Sequence, residues 1–222
     1  MKTKSYFHTV IGTREKNEDS YLAEDSMGLY AVADGIGGGL KGEVASQMAV
    51  EGLKKYRPEI QSMREIFQLL QKEIHQESMD TLGEALMGTT LSAVELKNNK
   101  ATICHVGDSR VYFFDGNVLR QMTEDQEIYD EQLRGTVLNS YLGIVSDIHP
   151  LRIVQETMVV AIGQRFLIAS DGLFKQISDM RIVSLIRENL GTPERLVEQL
   201  CEEAAHHEYS DNITVVYIEI NE

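Results

Sequence analysis

Two pairs of apolar runs in this chain are parted by very short polar breaks. The runs Thr89 to Leu96 and Lys100 to Val106 flank Asn98-Asn99, and Val111 to Phe114 and Val118 to Met122 flank Asp115-Gly116. Asn and Asp-Gly tolerate the left-handed backbone of a tight turn, so each pair reads as a β-hairpin. Hairpins make antiparallel sheet, and that restricts what the remaining segments can build.

Those segments fall into blocks. Tyr6 to Ile11 and Gly28 to Ala33 have strand character, and Ile153 to Val160, Phe166 to Ala169 and Ile213 to Ile220 return to it after the hairpins. Gly42 to Tyr56 reads as a helix with Val44, Met48, Ala49, Leu53 and Tyr56 on one stripe. Ser62 and Glu65 have capping-box spacing before a helix carrying Ile66, Leu70 and Ile74. Ser178 caps a helix through Asn189, with Gly191 just beyond its end. Thr192-Pro193 opens another, burying Leu196, Val197, Leu200 and Ala204. Residues 123–149 lack periodicity and read as a surface loop. Helix pairs separated by hairpin-rich strand blocks do not make a βαβ repeat. They predict an α+β protein: a four-layer α/β/β/α sandwich of two mainly antiparallel sheets flanked by helix pairs. With no Pro- or Ser-rich linker, residues 1–222 are expected to form a single domain.

Composition removes several function classes. Across 222 residues, 35 Asp+Glu oppose 21 Lys+Arg for a net charge of −14. A nucleic-acid binder needs a basic stripe, and docking on anionic lipid needs a basic patch. No apolar run nears the ~20 residues of a membrane span. The start, Met1 to Tyr6, has no hydrophobic segment behind it and is not a signal peptide. A cytoplasmic protein is expected, with no nucleic-acid and no membrane partner. Cys104 and Cys201 each sit among apolar neighbours and read as buried thiols.

The carboxylates are placed unusually. Tyr30-Ala31-Val32-Ala33 runs into Asp34-Gly35; Phe166 to Ala169 runs through Ser170 into Asp171-Gly172; Ile103 to Gly107 runs into Asp108. Asp211-Asn212 immediately precedes the last strand, and Glu18-Asp19 lies in the polar stretch after the first. Any one of these is a turn former. Five at the tips of apolar strands are more than turns require, and clustered carboxylates repel unless a cation neutralises them. Oxygen-only ligands suit Mg2+ or Mn2+ rather than zinc. Gly37, Gly39 and Gly42 fit G-x-G-x-x-G, but a second helix follows at 62–76 instead of a strand, and Glu59 is not at a strand end, which argues against a dinucleotide fold. These glycines read as a tight loop letting backbone approach a bound group.

Six motifs in order resemble the metal-dependent Ser/Thr protein phosphatases (the PPM family, type two C) of the bacterial kind. They are Arg14-x-x-Asn17-Glu18-Asp19-Ser20, then Val32 to Gly38 with Gly42-Glu43-x-Ala45-Ser46, then Gly88-Thr89-Thr90, Val106-Gly107-Asp108-Ser109-Arg110, Ala169 to Leu173, and Ser210 to Thr214. The resemblance implies hydrolysis of protein phosphoserine and phosphothreonine by a metal-activated water at a binuclear Mn2+ or Mg2+ centre. It implies that Asp34 bridges two tightly held ions, Gly35 offers its carbonyl, Glu18 helps hold one ion, and Asp171 and Asp211 hold the other. Asp108 would serve a third, weaker site. Arg14 would clamp the substrate phosphate, so that Arg14, Asp34 and Asp171 carry catalysis, with Asp19 and Asn212 in support. The implied partners are a phosphorylated protein, from a cognate Ser/Thr kinase system or an anti-sigma antagonist system.

The chain departs from the family pattern at three places. Ile36 stands where animal members have a His; the usual Asp-His-Ser is Asp125-Gln126-Glu127, followed by a short flap; and Asn139-Ser140 replaces Thr-Arg. With less cover from the flap, the third ion is expected to exchange quickly. The competing readings are a non-catalytic metal-binding regulator of the same fold and a nucleotide-binding module on the glycine cluster. Retention of Glu18, Asp34, Asp171 and Asp211 speaks against the regulator.

Overall fold

A computed structural model describes residues 2–36, 41–60, 62–143 and 150–221. In chain order the elements are β1 (Lys2–Val10), β2 (Asp19–Glu24), β3 (Leu29–Ile36), α1 (Gly42–Tyr56), α2 (Met63–Leu82), β4 (Gly88–Thr89), β5 (Leu91–Lys97), β6 (Lys100–Val106), β7 (Arg110–Phe114), β8 (Leu119–Gln121), β9 (Glu127–Asp130), β10 (Gly135–Leu138), β11 (Val154–Val159), β12 (Arg165–Ala169), α3 (Asp171–Phe174), α4 (Asp179–Glu188), α5 (Pro193–Ala205) and β13 (Ile213–Asn221). Gly37 to Gly39 of the glycine cluster, and 144–149 of the expected loop, lie outside the described residues.

Each strand pair is antiparallel. One sheet has the order β1-β13-β12-β7-β8; the other runs β11-β6-β5-β3-β2, with β4 beside β3. Side chains alternate across each strand, and here both faces are covered. Tyr30, Val32, Val94, Val111, Phe113, Phe166, Ile168, Val216 and Ile218 meet between the sheets. Their neighbours Ala31, Ala33 and Ala93 face α1 and α2, while Tyr112, Leu167, Ala169, Val215 and Tyr217 face α3, α4 and α5. Double burial is why these strands read as continuous apolar runs rather than alternating ones. The four-layer expectation is met.

Three local expectations are corrected. Asp19 does not lie in a polar stretch: it opens β2, an edge strand whose only buried residues are Ser20 and Leu22. Residues 127–138 form the β9–β10 hairpin rather than loop. This hairpin stands outside both sheets and leaves Ile128, Tyr129 and Leu133 exposed, so no burial imposed an alternating pattern on its sequence. Its turn is local chemistry: the Asp130 carboxylate accepts from the Gln132 and Leu133 amides at 2.7 and 2.9 Å. The buried stripe of α1 centres on Ala45, Ala49, Val50 and Leu53, with Val44, Met48 and Tyr56 on its margin. Small residues there let the helix lie close to β3.

The antiparallel order decides where the carboxylates go. Val10 pairs with Ile213, Ala169 with Val215, Leu91 with Val106, and Asp19 with Asp34. The ends of β1, β3, β6 and β12 and the starts of β2, β7 and β13 therefore share one end of the sandwich.

Candidate metal centre

At that end a cleft of about 570 Å³ is lined by Arg14, Glu18, Asp34, Asp108, Asp171 and Asp211, with Gly35, Ile36 and Asn212 beside them. A larger cleft, about 950 Å³, opens at the opposite end around Gly28 and the Asn98-Asn99 turn and holds none of these carboxylates.

Asp34 sits on a fixed platform. Its amide donates to Thr90 Oγ1 at 2.9 Å, and its carbonyl accepts from the Thr90 amide and Thr89 Oγ1, both at 2.9 Å. This gives the Gly88-Thr89-Thr90 motif a role that its sequence did not disclose. Thr90 in turn contacts Ser109 at 2.7 Å, tying the Asp34 strand to the Asp108 turn. Gly35 and Gly42 are pressed together: a Cβ on Gly35 would fall 2.3 Å from the Gly42 carbonyl oxygen, and one on Gly42 would fall 3.0 Å from Glu18 Oε1. No side chain fits at that approach of α1 to β3.

Asn212 holds the segment that carries Arg14 and Glu18. Its Oδ1 accepts from the Glu18 amide at 2.8 Å, and its Nδ2 donates to the carbonyls of Ile11 and Lys16, each at 2.9 Å. Asp19 accepts from Ser170 Oγ at 2.8 Å, so it braces the residue preceding Asp171. Gln126 is fully buried and clamps the turn before Asp108: Gly107 N donates to its Oε1 at 3.0 Å, and its Nε2 donates to the Arg152 carbonyl at 2.8 Å. It points inward and is no part of a cover over the cleft. Arg110 is a bidentate partner of Asp125, at 2.9 and 2.6 Å, and leaves Asp108 to other partners.

The electrostatics are those of crowded acids. Asp34 and Asp19 stand directly opposite in the β2–β3 register, an arrangement that destabilises a sheet. Desolvation, then Asp19, Asp171, Asp108 and Asp211 in turn, hold the Asp34 carboxyl well above its usual range. Burial pushes Asp19 up to about 7, and burial followed by Asp171 does the same to Asp108. Desolvation and then Glu43 raise Glu18. Three buried carboxylate oxygens of this group, Glu18 Oε1, Asp19 Oδ1 and Asp171 Oδ1, have no hydrogen-bond partner. Orphaned acceptors at this density are costly, and an oxygen-only set fits a hard divalent cation.

Two side-chain cations meet part of that need. Arg14 donates to Asp211 Oδ2 at 2.5 Å, and Lys175 lies 2.6 Å from Asp171 Oδ2. In this arrangement no three His, Cys, Asp or Glu side chains among the described residues converge on one ion position. Asp211 instead turns toward Arg14, and Asp171 and Asp108 toward Lys175. Lys175 was not singled out in the sequence, and Glu127 only as a departure from the family pattern, although the i, i+4 spacing of Asp171 and Lys175 is an ion-pair signal on a helical turn.

A family model described as protein phosphatase 2C matches residues 9–211. The chain belongs to the protein phosphatase 2C family. Relatives span it nearly end to end. A serine/threonine phosphatase stp of Listeria welshimeri is 30% identical, over 94% of this chain and 92% of its own. Protein phosphatase PhpP of Streptococcus pneumoniae is 27% identical, over 96% of both. Among solved structures, the catalytic domain of the serine/threonine protein phosphatase PstP, in complex with two manganese ions, superimposes with a TM-score of 0.84 at 26% identity, covering 100% of this chain and 99% of that one. The resemblance read from six motifs is borne out, and with it the class of enzyme: a bacterial-type, metal-dependent protein serine/threonine phosphatase of the 2C family. No described helix is long and apolar enough to cross a membrane.

Proposed function

We propose that this phosphatase 2C chain acts as one domain over residues 1–222 and hydrolyses phosphoserine and phosphothreonine in proteins at a binuclear Mn2+ or Mg2+ centre in the cleft. The observation that carries this reading is the trio of buried, unpartnered carboxylate oxygens around Asp34. Asp34 would serve both ions, the Gly35 carbonyl would add a ligand, Glu18 would serve one ion, and Asp171 and Asp211 the other. Such a pair of ions, when bound, makes water a nucleophile near neutral pH and stabilises both oxygens of an in-line displacement at phosphorus.

The chain's own groups do the rest. Arg14 is exposed at the rim and held by Asp211, so its guanidinium is aimed into the cleft with one edge committed. Its planar fork suits a phosphoryl group. Ile36 lines the cleft where a protic side chain would be needed for proton delivery, so the leaving alkoxide takes its proton from solvent. Asn212, Asp19, Thr90 and Gln126 hold the four segments in register. A non-catalytic regulator has no use for the complete acidic set. The substrates are phosphoproteins produced by a Ser/Thr kinase.

The test is phosphate release from a phosphothreonine peptide and a phosphotyrosine peptide, with Mn2+ and with EDTA. Release from phosphothreonine only, abolished by EDTA, is expected; full release in excess chelator would remove the metal mechanism.

A further inference from the structure

The sequence reading leaves Asp108 serving a third, weaker ion. Its carboxylate is 5% exposed and faces Asp171 across the cleft. What lies between them is Lys175. Its Nζ is 2.6 Å from Asp171 Oδ2, 3.5 Å from Asp108 Oδ2 and 3.5 Å from Glu127 Oε1. The three carboxylates come from three different segments: the turn before β7, the single-turn helix α3, and the first residue of β9. The nearby guanidinium of Arg110 is spent on Asp125 and stacked 3.8 Å over the Phe174 ring, so Lys175 is the side-chain cation that meets all three acids.

The backbone sets this up. Helix α3 is one turn long, and the Lys175 amide closes it on the Asp171 carbonyl at 3.0 Å. The i, i+4 offset therefore brings the lysine stem back over Asp171. The family departure at 125–127 adds to the demand. Glu127 stands where the pattern has Ser, and it puts a further negative charge against Asp108. An extra acid in a desolvated corner needs an extra positive charge.

We propose that Lys175 is a tethered cation occupying the place between Asp108 and Asp171 that a third divalent ion would take, so that this centre holds two exchangeable ions and one lysine ammonium. The inference rests on the binuclear reading above. An ammonium and a divalent ion held between the same two carboxylates would lie only a few ångströms apart, where like charges repel strongly. A third ion binds only after the lysine swings out, and its side chain, about half exposed, has room to do so. Coupling of this kind is reciprocal: whatever removes the lysine tightens the third ion, and whatever fills the third site releases the lysine.

The experiment is Mn2+ calorimetry on wild type, Lys175→Met, Lys175→Gln and Lys175→Arg, beside thermal unfolding of each in EDTA and in Mn2+. Wild type and Lys175→Arg should bind two ions tightly. Met and Gln variants should show a third binding event, at least about tenfold tighter than any third event in wild type, because an adjacent like charge has gone. In EDTA the Met and Gln variants should melt below wild type, with the gap narrowing as Mn2+ fills the vacated position. Three tightly bound ions in wild type, or isotherms for the Met and Gln variants that superimpose on the wild-type one, would overturn the proposal and leave Lys175 as an ordinary helical ion-pair residue. A wild-type isotherm with no tight ion would sink the binuclear reading itself and the lysine proposal with it.

Discussion

Replacing Asn212 with Ala removes three hydrogen bonds and no candidate metal ligand. The side chain is 5% exposed and joins the start of β13 to both ends of the 11–18 segment. The three partners do not lose equally. Ile11 and Lys16 are exposed residues, so water can take over at their carbonyls more readily than at the amide of Glu18, which is half-buried beside the cleft. A net hydrogen bond is worth roughly 1 kcal/mol and an orphaned buried donor about 1–3 kcal/mol, which puts the loss at roughly 2–3 kcal/mol. In a domain of this size each kcal/mol moves the midpoint by about 2–4 °C, so Asn212→Ala should melt about 4–12 °C below wild type in EDTA. The freed segment carries Arg14 and Glu18, so the rise in melting temperature on adding Mn2+ should shrink and peptide turnover should fall. Asn212→Asp is a sharper control. It keeps an acceptor for the Glu18 amide, but turns an oxygen toward two carbonyls and adds a charge to a crowded acidic end. It should be no better than Ala. A melting temperature for Asn212→Ala within about 1 °C of wild type would refute the claim that this side chain carries the segment.

Four further outcomes are expected. Mn2+ at a hundredfold excess over its Kd should stabilise the folded chain by about 2.7 kcal/mol, read as a rise in melting temperature; Asp34→Asn should erase both that rise and turnover without lowering the midpoint in EDTA, since it removes a repelled charge. Arg14→Ala should raise KM for a phosphopeptide more than it weakens Mn2+ binding, with Arg14→Lys recovering only part, because an ammonium lacks the planar fork; a lysine variant with wild-type KM would move the phosphate clamp elsewhere. Arg57→Met should cost about 3 kcal/mol in denaturant unfolding, because it strands Glu95, 11% exposed, without its partner at 2.7 Å. Burial lowers the His105 imidazole to about 4, below the ordinary unfolded value of about 6.5, so the unfolded chain takes up the proton first and stability falls as pH drops from about 6.5 to 4; His105→Gln should flatten that limb by on the order of 3 kcal/mol, measured as the wild-type minus variant difference at pH 7 and pH 4.5.

What could be read in the sequence, and what could not, follows from burial. The strands β3, β5, β6, β7, β12 and β13 are covered on both faces, and their apolar runs announced them. The edge strand β2 and the outlying β9–β10 hairpin bury little, so nothing in their residues distinguished them from loop. The caps of α2 and α4 were legible because Ser62 and Ser178 each accept a main-chain amide three residues on, both at 3.3 Å. The carboxylates stood out at strand ends, but the sequence could not show that Asp19 faces Asp34, which depends on register. Lys175 escaped notice for a related reason. A lysine in a short polar turn reads as a solvated side chain until Asp108 and Glu127 are brought to it from 67 and 48 positions away. Cys104 is as inert as its neighbours suggested: it is buried, and burial pushes its thiol up to about 12.

The first and last strands are partners, with Lys2 opposite Asn221 and Val10 opposite Ile213, and the last strand is interior to its sheet, between β1 and β12. The sheet that carries Asp171 therefore has a gap in its middle until the nine residues of β13 are in place. Asp211 and Asn212 arrive with that same strand. A chain in which β13 is unpaired or removed thus presents Asp34 and Asp108 without Asp211 and Asn212, which line the same cleft. Pairing of β13 and assembly of the cleft are thus one event, and a chain clipped before Asp211 is expected to lose its fold and its phosphatase activity together.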